Sequence, residues 1–152
     1  MLEFTVPEHL PDWISDHTRQ YLDSSGTEGH LWAPPGSDME PVTTLLLVTT
    51  GRKSGKALTL PLIYGDAGDG AYVIIASKGG APDHPAWYLN LEADPNVALM
   101  VGPEQFEATA RLAAGDERQR LWDMMADMFP NYSEYAEKAG DREIPVVVLE
   151  RK

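Results

Sequence analysis

Four basic side chains lie in two short glycine-containing stretches, and their chemistry is that of an anion site. Arg52, Lys53 and Lys56 belong to GRKSGK, and Lys78 follows in SKGGAP. Residues 41–65 contain no Asp or Glu, although the chain has 24 acids against 12 Lys and Arg. An acidic chain that collects bases where it has no acids indicates a local site for an anion. Charge alone leaves open the alternative of a solvated basic hairpin tip.

GRKSGK has some features of a P-loop but not its spacing. Three residues separate Gly51 from Gly55 where the P-loop has four, and Ala57 follows Lys56 where Ser or Thr is required. A predicted strand also follows the stretch, where a P-loop is followed by a helix. The sequence therefore predicts a hairpin turn whose backbone N–H groups and basic side chains can hold an anion.

The two basic stretches separate the predicted strands of an antiparallel sheet. Short β-branched and apolar segments divided by turn residues are typical of a barrel or a curled sheet. The predicted strands are residues 43–50, 57–65, 71–77, 97–101, 104–112 and 144–149. The last of these is uniformly apolar, which predicts a central strand buried on both faces.

Helices are predicted before and between these strands. Helical periodicity marks residues 9–25, 115–129 and 131–138, and a short helix begins near Pro85 with His84 or Asp83 as its cap. Residues 26–41 are rich in proline and glycine, which predicts a loop. We therefore expect an N-terminal helix and loop over residues 1–41, packed over the barrel or a cofactor. A β-rich region over residues 42–152 completes a single domain.

Composition excludes several classes of protein. The chain has no cysteine, which excludes disulfides and thiolate chemistry and agrees with a reducing cytoplasm. No segment offers the roughly 18 apolar residues of a membrane span, and the single base of the first helix disfavours contact with anionic lipid. A net charge of −12 argues against a nucleic-acid partner. The four histidines have no metal-ligand spacing.

Five blocks of the sequence are informative together: TTGRKSGK (49–56), PLIY (61–64), ASKGGAPDHPAWYLNLEADP (76–95), ATAR (108–111) and DREIPVVVLE (141–150). In this order and spacing they resemble the deazaflavin-dependent nitroreductase family, whose members use coenzyme F420. The most specific element is GAP-x-x-PAWYxN. The resemblance implies a split β-barrel of about six antiparallel strands, mainly β with flanking helices, of the type that binds FMN or a deazaflavin.

The resemblance also implies a cofactor site. The phosphate and glutamate tail of F420 is expected at the first basic loop, although Leu58 replaces an arginine that the family commonly has there. The implied cofactor-binding residues are Arg52, Lys53, Ser54, Gly55, Lys56, Pro61, Leu62, Ala76, Ser77, Lys78, Gly79, Gly80, Pro85, Trp87 and Asn90. For Trp87, ordinary core packing is the alternative.

Three aromatic residues are implied to line the acceptor pocket. Phe129, Tyr132 and Tyr135 follow an i, i+3, i+6 rhythm and share one face. An aromatic clamp that holds a helix on the barrel is the alternative. Family members often have tyrosine at all three positions. This chain departs from that pattern at Phe129, which has no hydroxyl to form a hydrogen bond. The candidate catalytic proton donors are Tyr64, Ser77, Tyr132 and Tyr135.

The implied function is that of an F420-dependent oxidoreductase of the nitroreductase or quinone reductase type. The reduced cofactor would deliver a hydride to a small electron-poor acceptor such as a quinone, enone or nitro compound, and the protein would bind, orient and exclude water. An FMN-dependent reductase on the same barrel and a non-catalytic F420 carrier are the alternatives. We expect a cytoplasmic monomer or homodimer with no metal.

Overall fold

The computed structural model describes residues 3–8, 10–34 and 36–152, and these residues form eight strands, four α-helices and one 3-10 turn. The strands are β1 (Leu31–Trp32), β2 (Val42–Thr50), β3 (Ala57–Ile63), β4 (Gly65–Gly68), β5 (Ala71–Ile75), β6 (Asn96–Val101), β7 (Glu104–Leu112) and β8 (Val146–Arg151). The helices are α1 (Asp12–Asp23), α2 (Ala86–Ala93), α3 (Gly115–Met128) and α4 (Asn131–Ala139), and the 3-10 turn spans Lys78–Gly80.

Seven strands form an antiparallel circuit in the order β3-β2-β6-β7-β8-β5-β4. β3 and β4 stand at the two ends of this order, yet only Tyr64 separates them in sequence. The Tyr64 N–H donates to the Thr43 carbonyl at 3.0 Å, and the Thr43 hydroxyl donates to the Tyr64 carbonyl at 2.9 Å. The chain therefore bends from one edge of the sheet to the other and closes a barrel. This confirms the split β-barrel prediction.

The predicted strands are present, and the structure adds two short ones. β1 has two residues, and β4 is the polar segment GDAG, so neither has the apolar run that a sequence pattern detects. The predicted strand 57–65 is divided at Tyr64, which gives β3 and the start of β4. β8 begins at Val146 rather than at residue 144, because Pro145 has no N–H to donate to a ladder.

Hydrophobic residues fill the barrel and also the layer beneath α3 and α4. Alternate residues of β8 serve these two layers: Val147 and Leu149 lie in the barrel interior, whereas Val146 and Val148 pack with Leu121 of α3. All four β8 residues are at most 1% exposed, and β8 lies between β7 and β5. The prediction of a central strand buried on both faces is confirmed.

Helix α1 packs on the outside of the barrel through Tyr21. The Tyr21 hydroxyl lies 3.0 Å from the Thr44 carbonyl and accepts the Gly102 N–H at 2.8 Å. Burial raises the pKa of Tyr21 to about 12, so the hydroxyl stays protonated at neutral pH. The expected packing over the barrel is confirmed, although α1 begins at Asp12, and the predicted start at His9 lies outside the described residues. The boundary at residue 41 stays a prediction.

The start of α2 differs from the prediction. Pro85 is the N-cap of α2, and no side chain caps the helix, so the expected cap by His84 or Asp83 is wrong. Both side chains have other partners, because Asp83 pairs with Lys78 and His84 accepts a hydrogen bond from Arg142. None of the helices in the described part of the chain is long and apolar enough to cross a membrane.

Candidate active site between two glycine-containing loops

The first basic loop, residues 51–56, is a tight hairpin between β2 and β3. The Gly51 N–H donates to the Lys56 carbonyl and the Gly55 N–H donates to the Gly51 carbonyl, each at 2.8 Å. Gly55 has a φ of 73°, a left-handed value that favours glycine. The predicted hairpin turn is therefore confirmed, and its bases project from a fixed backbone.

Asn90 of α2 anchors this loop from the side. Its amide is 3% exposed, and its Oδ1 atom accepts from the Arg52 N–H at 3.2 Å and from Arg52 Nη1 at 3.0 Å. Its Nδ2 atom donates to Thr49 Oγ1 at 3.1 Å. Both ends of the amide are thus satisfied by the loop and by the strand before it. The Arg52 guanidinium faces α2 in this arrangement, whereas the sequence predicted an anion ligand.

The remaining bases of the first loop border an open groove. The groove is about 260 Å³ in volume. Its lining residues are Gly51, Arg52, Lys53, Ser54, Lys56, Ala57, Leu58 and Asn90. Lys53 and Lys56 are exposed, and no described carboxylate lies within ion-pair distance of either one. The groove therefore presents two uncompensated positive charges.

A second, largely apolar cavity of about 190 Å³ lies between α1, β3 and α4. It brings together six residues that the sequence analysis assigned to the site: Pro61, Leu62, Ser77, Phe129, Tyr132 and Tyr135. Trp13, His17, Trp32, Thr44, Ile63 and Ile75 complete the lining. Three of the predicted cofactor residues and all three predicted acceptor residues thus line the same cavity.

The aromatic row is a compact cluster on one wall of this cavity. The ring centroids of Phe129 and Tyr132 are 5.0 Å apart, and both rings lie within 6.4 Å of the Tyr135 ring. Phe129 is 3% exposed and Tyr132 is 4% exposed, so both also pack in the core beneath α3 and α4. These side chains therefore both hold the helices on the barrel and line the cavity, two roles that the sequence analysis kept as alternatives. Burial raises the pKa of the Tyr132 hydroxyl.

The second loop, residues 77–82, turns on three consecutive residues with positive φ. The φ values of Lys78, Gly79 and Gly80 are 48°, 62° and 82°. A side chain on Gly80 would place its Cβ 2.7 Å from the Tyr135 carbonyl oxygen, so this glycine permits the close approach of the loop to α4. Lys78 pairs with Asp83 at 3.8 Å and does not border the groove of the first loop.

Three predicted site residues lie in supporting positions. Trp87 packs in the barrel core with Leu45 and Leu91, which is the core-packing alternative. Ala76 is fully buried at the end of β5, and its N–H donates to the Pro145 carbonyl at 3.0 Å. Pro85 is buried at the start of α2. Their direct contact with a cofactor stays a prediction.

Tyr64 lies in the barrel core and is absent from the cavity lining. Its hydroxyl shares a hydrogen bond of 2.8 Å with His30 Nε2, and its ring meets Tyr72 edge-on at 5.4 Å. Burial raises the pKa of Tyr64. The hydroxyl thus has a partner away from the cavity, and a catalytic role for Tyr64 has less structural support than one for Ser77, Tyr132 or Tyr135.

Sequence analysis missed four residues around the site. Trp13 of α1 and Trp32 of β1 stack at 6.3 Å over the cavity, and His17 donates from Nε2 to the Gly29 carbonyl at 2.7 Å. Helical periodicity predicted a helix that includes Trp13 and His17, but no local signal indicated that either residue faces a cavity. Arg142 supports the second loop, and its presence in the DREIP block was the only signal for it.

Comparison with known proteins settles the family. The model for the F420H(2)-dependent quinone reductase family matches residues 13–151. An F420H(2)-dependent quinone reductase of Mycobacterium tuberculosis is 40% identical over 141 residues, which are 90% of this chain and 88% of that protein. The chain belongs to the F420H(2)-dependent quinone reductase family.

Solved structures agree with this assignment. A structure of an F420-H2 dependent reductase is 42% identical, with a TM-score of 0.64 over 70% of this chain and 93% of that one. A solved domain-swapped dimer is 38% identical, with a TM-score of 0.67 over 91% of this chain and 98% of that one. The segment that matches the F420H(2)-dependent quinone reductase family includes both loops, the cavity and Arg142.

Proposed function

We propose that this protein is a reductase that uses reduced coenzyme F420 to reduce quinone-type acceptors. The observation that supports this most directly is the course of β3, which joins the cationic groove to the aromatic cavity. The groove borders β3 at Ala57 and Leu58, and the cavity borders it at Pro61, Leu62 and Ile63. From Lys56 to Pro61, strand geometry of about 3.3 Å per residue spans roughly 16 Å. An elongated ligand with an anionic tail and a flat ring matches both ends of this strand.

The residues at the groove fit the tail of F420. Lys53 and Lys56 have no described acidic partner, and the surrounding window from residue 41 to residue 65 has no acid. A phosphate followed by several carboxylates offers each of these bases a charge partner. FMN has one phosphate and would leave part of this charge unmatched. The charge of the groove therefore favours the deazaflavin over FMN.

The residues at the cavity fit a planar ring and a small acceptor. Ligand pockets are mostly apolar, with a few polar groups that fix orientation. Here the apolar walls come from β3, β5 and the aromatic row, and the polar groups include Ser77, Thr44 and His17. Trp13 and Trp32 cover one side of the cavity and limit access of water. We assign the ring and the acceptor to this cavity.

When bound, F420H2 would supply a hydride to the acceptor. A quinone that gains a hydride also needs a proton to become a hydroquinone, so the hydroxyl groups of the cavity matter. The Tyr132 hydroxyl can donate a hydrogen bond to an acceptor oxygen, and burial, which raises its pKa, makes it a weaker acid. Ser77 and Tyr135 line the same cavity and can orient the acceptor or relay a proton. No described group of three His, Asp or Glu side chains is arranged to hold a metal.

Three further expectations belong to the same proposal. The lack of cysteine agrees with a reducing cytoplasm. The acidic surface disfavours a nucleic-acid partner. A monomer or a homodimer remains our expectation, and a relative that forms a domain-swapped dimer makes the dimer worth testing by light scattering.

Cofactor titration followed by turnover tests the proposal. Purified protein is titrated with F420 and with FMN by fluorescence, at low and at high salt. We expect tighter binding of F420 at low salt and a preference that shrinks as salt screens the groove. Reduced F420 and a soluble benzoquinone are then mixed with catalytic amounts of protein, and oxidation of F420H2 is followed by absorbance. FMN affinity that equals or exceeds F420 affinity would overturn the cofactor assignment, and binding without turnover would identify a carrier.

A further inference from the structure

Arg142 lies between α4 and β8 and binds the second loop with its whole guanidinium group. Its Nε atom donates to the Ala81 carbonyl at 2.8 Å, and Nη2 donates to the Ser77 carbonyl at 2.6 Å. Its Nη1 atom donates to the Ala76 carbonyl at 3.2 Å and to His84 Nδ1 at 3.0 Å. One side chain thus contacts the backbone on both sides of the 3-10 turn.

The turn that Arg142 spans is one that needs support. Lys78 is not a glycine, yet its φ is 48°, and Gly79 and Gly80 continue in the same left-handed region. A non-glycine residue in this region costs on the order of 1 kcal/mol and persists only where the surroundings hold it. Ser77 and Ala81 flank the turn, and Arg142 binds both of their carbonyls. The guanidinium therefore fixes the two ends of a strained segment.

The hydrogen bonds of Arg142 separate it from the other bases of the site. A guanidinium has five N–H donors, and four hydrogen bonds from Arg142 go to residues 76–84. Among the described residues, no carboxylate forms an ion pair with Arg142. A half-buried cation that is surrounded by neutral acceptors, with few donors left, is suited to shape a loop rather than to bind an anion directly.

The segment that Arg142 holds also borders the cavity. Ser77 lines the cavity, and its carbonyl is one of the acceptors. Gly80 lies against the backbone of Tyr135, so the position of the turn is matched to α4. A displaced turn would move Ser77 and would lose its fit to the helix that supplies Tyr132 and Tyr135. Arg142 therefore acts on the site through the loop, without touching the cavity.

We propose that Arg142 is a positioning residue that holds residues 77–81 in their binding shape before the cofactor arrives. This inference rests on the proposed function for its ligand, but the loop conformation itself is a property of the free protein. Preorganisation of this kind lowers the ordering cost of binding. Loss of Arg142 should therefore loosen the loop first and weaken F420 binding as a consequence.

Arg142→Lys tests the proposal because it keeps the positive charge and removes the planar guanidinium that binds several carbonyls at once. Hydrogen exchange of the amides of residues 77–81 is measured in cofactor-free protein, and Kd for F420 is measured by fluorescence. We expect exchange in this loop to accelerate and Kd to rise roughly tenfold or more, since a disordered loop binds only from its competent fraction. Arg111→Lys is the matched control, because the Arg111 guanidinium also makes three hydrogen bonds, to Glu117 and Glu150, and none of them reaches the second loop. The control should change neither quantity.

A second variant reaches the same turn without removing any side-chain contact. Gly79→Ala adds a methyl group that meets nothing within 4 Å, but the φ of 62° makes the left-handed conformation unfavourable. Gly115→Ala is its control, because Gly115 has a φ of 58°, equally open space and a place at the start of α3. Gly79→Ala should accelerate exchange and weaken F420 binding, as Arg142→Lys does.

Three outcomes would overturn the proposal. The first is a loop in Arg142→Lys that exchanges at the wild-type rate while Kd for F420 is also unchanged. The second is weaker binding with unchanged exchange, which would make Arg142 a direct ligand. The third is a loosened loop in Gly79→Ala with wild-type affinity. If the wild-type protein fails to bind F420, the proposed function falls, and the exchange comparison alone still decides whether Arg142 holds the loop.

Discussion

The two glycine-containing loops both belong to the candidate site, but they are anchored in opposite ways. The first loop is anchored by a neutral buried amide, that of Asn90, and its free charges are the side chains of Lys53 and Lys56. The second loop is anchored by a cation, that of Arg142, and its own base Lys78 already has Asp83 as a partner. The first loop therefore contributes free positive charge to the site, and the second contributes a backbone turn of fixed conformation.

This difference separates two contributions to binding that are usually mixed. Side-chain charge at an exposed groove attracts a ligand from a distance and is weakened by salt. Backbone shape in a held turn sets the fit at short range and is insensitive to salt. Variants of the first loop should thus respond to ionic strength, whereas variants that disturb the second loop should not.

The largest effect is expected for Asn90→Ala, which removes the anchor of the first loop. The change leaves the Arg52 N–H and the buried Thr49 hydroxyl without their partner. An unsatisfied buried polar group costs about 1–3 kcal/mol, and we expect the free energy of unfolding in urea to fall by that amount. Asn96→Ala is the control, because Asn96 is exposed and should change stability by less than about 0.5 kcal/mol. Equal effects of the two changes would show that Asn90 is not an anchor.

An intermediate effect is expected for reversal of one charge in the first loop. Lys53→Glu replaces attraction of the F420 tail by repulsion. An exposed contact is worth about 0.2–1 kcal/mol, and charge reversal counts that amount about twice, so Kd should rise roughly 2- to 30-fold. The effect should shrink as salt rises. Lys78→Glu is the comparison, and we expect a smaller effect because Asp83 already offsets that charge.

The ligand itself provides the control for these charge reversals. Binding of the deazaflavin ring without its phosphate tail should be nearly the same for the wild-type protein, Lys53→Glu and Lys78→Glu. A larger loss of F420 affinity for Lys78→Glu than for Lys53→Glu would mean that the tail lies at the second loop. The first loop would then no longer be the source of the attracting charge.

The smallest effect on cofactor binding is expected for Phe129→Tyr. Phe129 lines the cavity and packs against Tyr132, and the change adds one hydroxyl there without touching either loop. Kd for F420 should stay within about twofold, while the ratio of kcat/KM values for two quinones of different polarity should change, because a new donor favours the more polar acceptor. A comparable change in F420 affinity would place the aromatic row at the cofactor instead of at the acceptor.

Sequence reasoning predicted the parts of the site that local pattern determines. The hairpin at residues 51–56 follows from its glycines and from the strands on either side, and the i, i+3, i+6 spacing brought Phe129, Tyr132 and Tyr135 together. The acid-free window from residue 41 to residue 65 identified the groove, because charge composition is visible without a fold. These features depend on neighbours in the chain.

The parts that sequence reasoning missed depend on residues distant in the chain. Arg142 contacts residues 76–84 only because β8 pairs with β5, and that pairing brings the start of β8 to the end of β5. Tyr64 points into the barrel because the chain bends there, which the apolar pattern of residues 57–65 does not reveal. Arg52 was assigned to the ligand by its charge, whereas its nearest partners belong to α2.

The bend at Tyr64 has a consequence for how the barrel comes apart. β3 and β4 are nearly one continuous segment, so the two edges of the sheet are joined by the polypeptide backbone itself. Neither edge strand can therefore separate from the sheet without displacing the other. Three of the ladders, β2–β6, β7–β8 and β5–β8, join segments far apart in sequence, such as residue 46 with residue 100 and residue 72 with residue 149. Such non-local pairing makes folding slow, on the order of milliseconds to seconds for β-rich domains. We therefore expect the amides of β2, β5 and β8 to exchange together, in a single global opening.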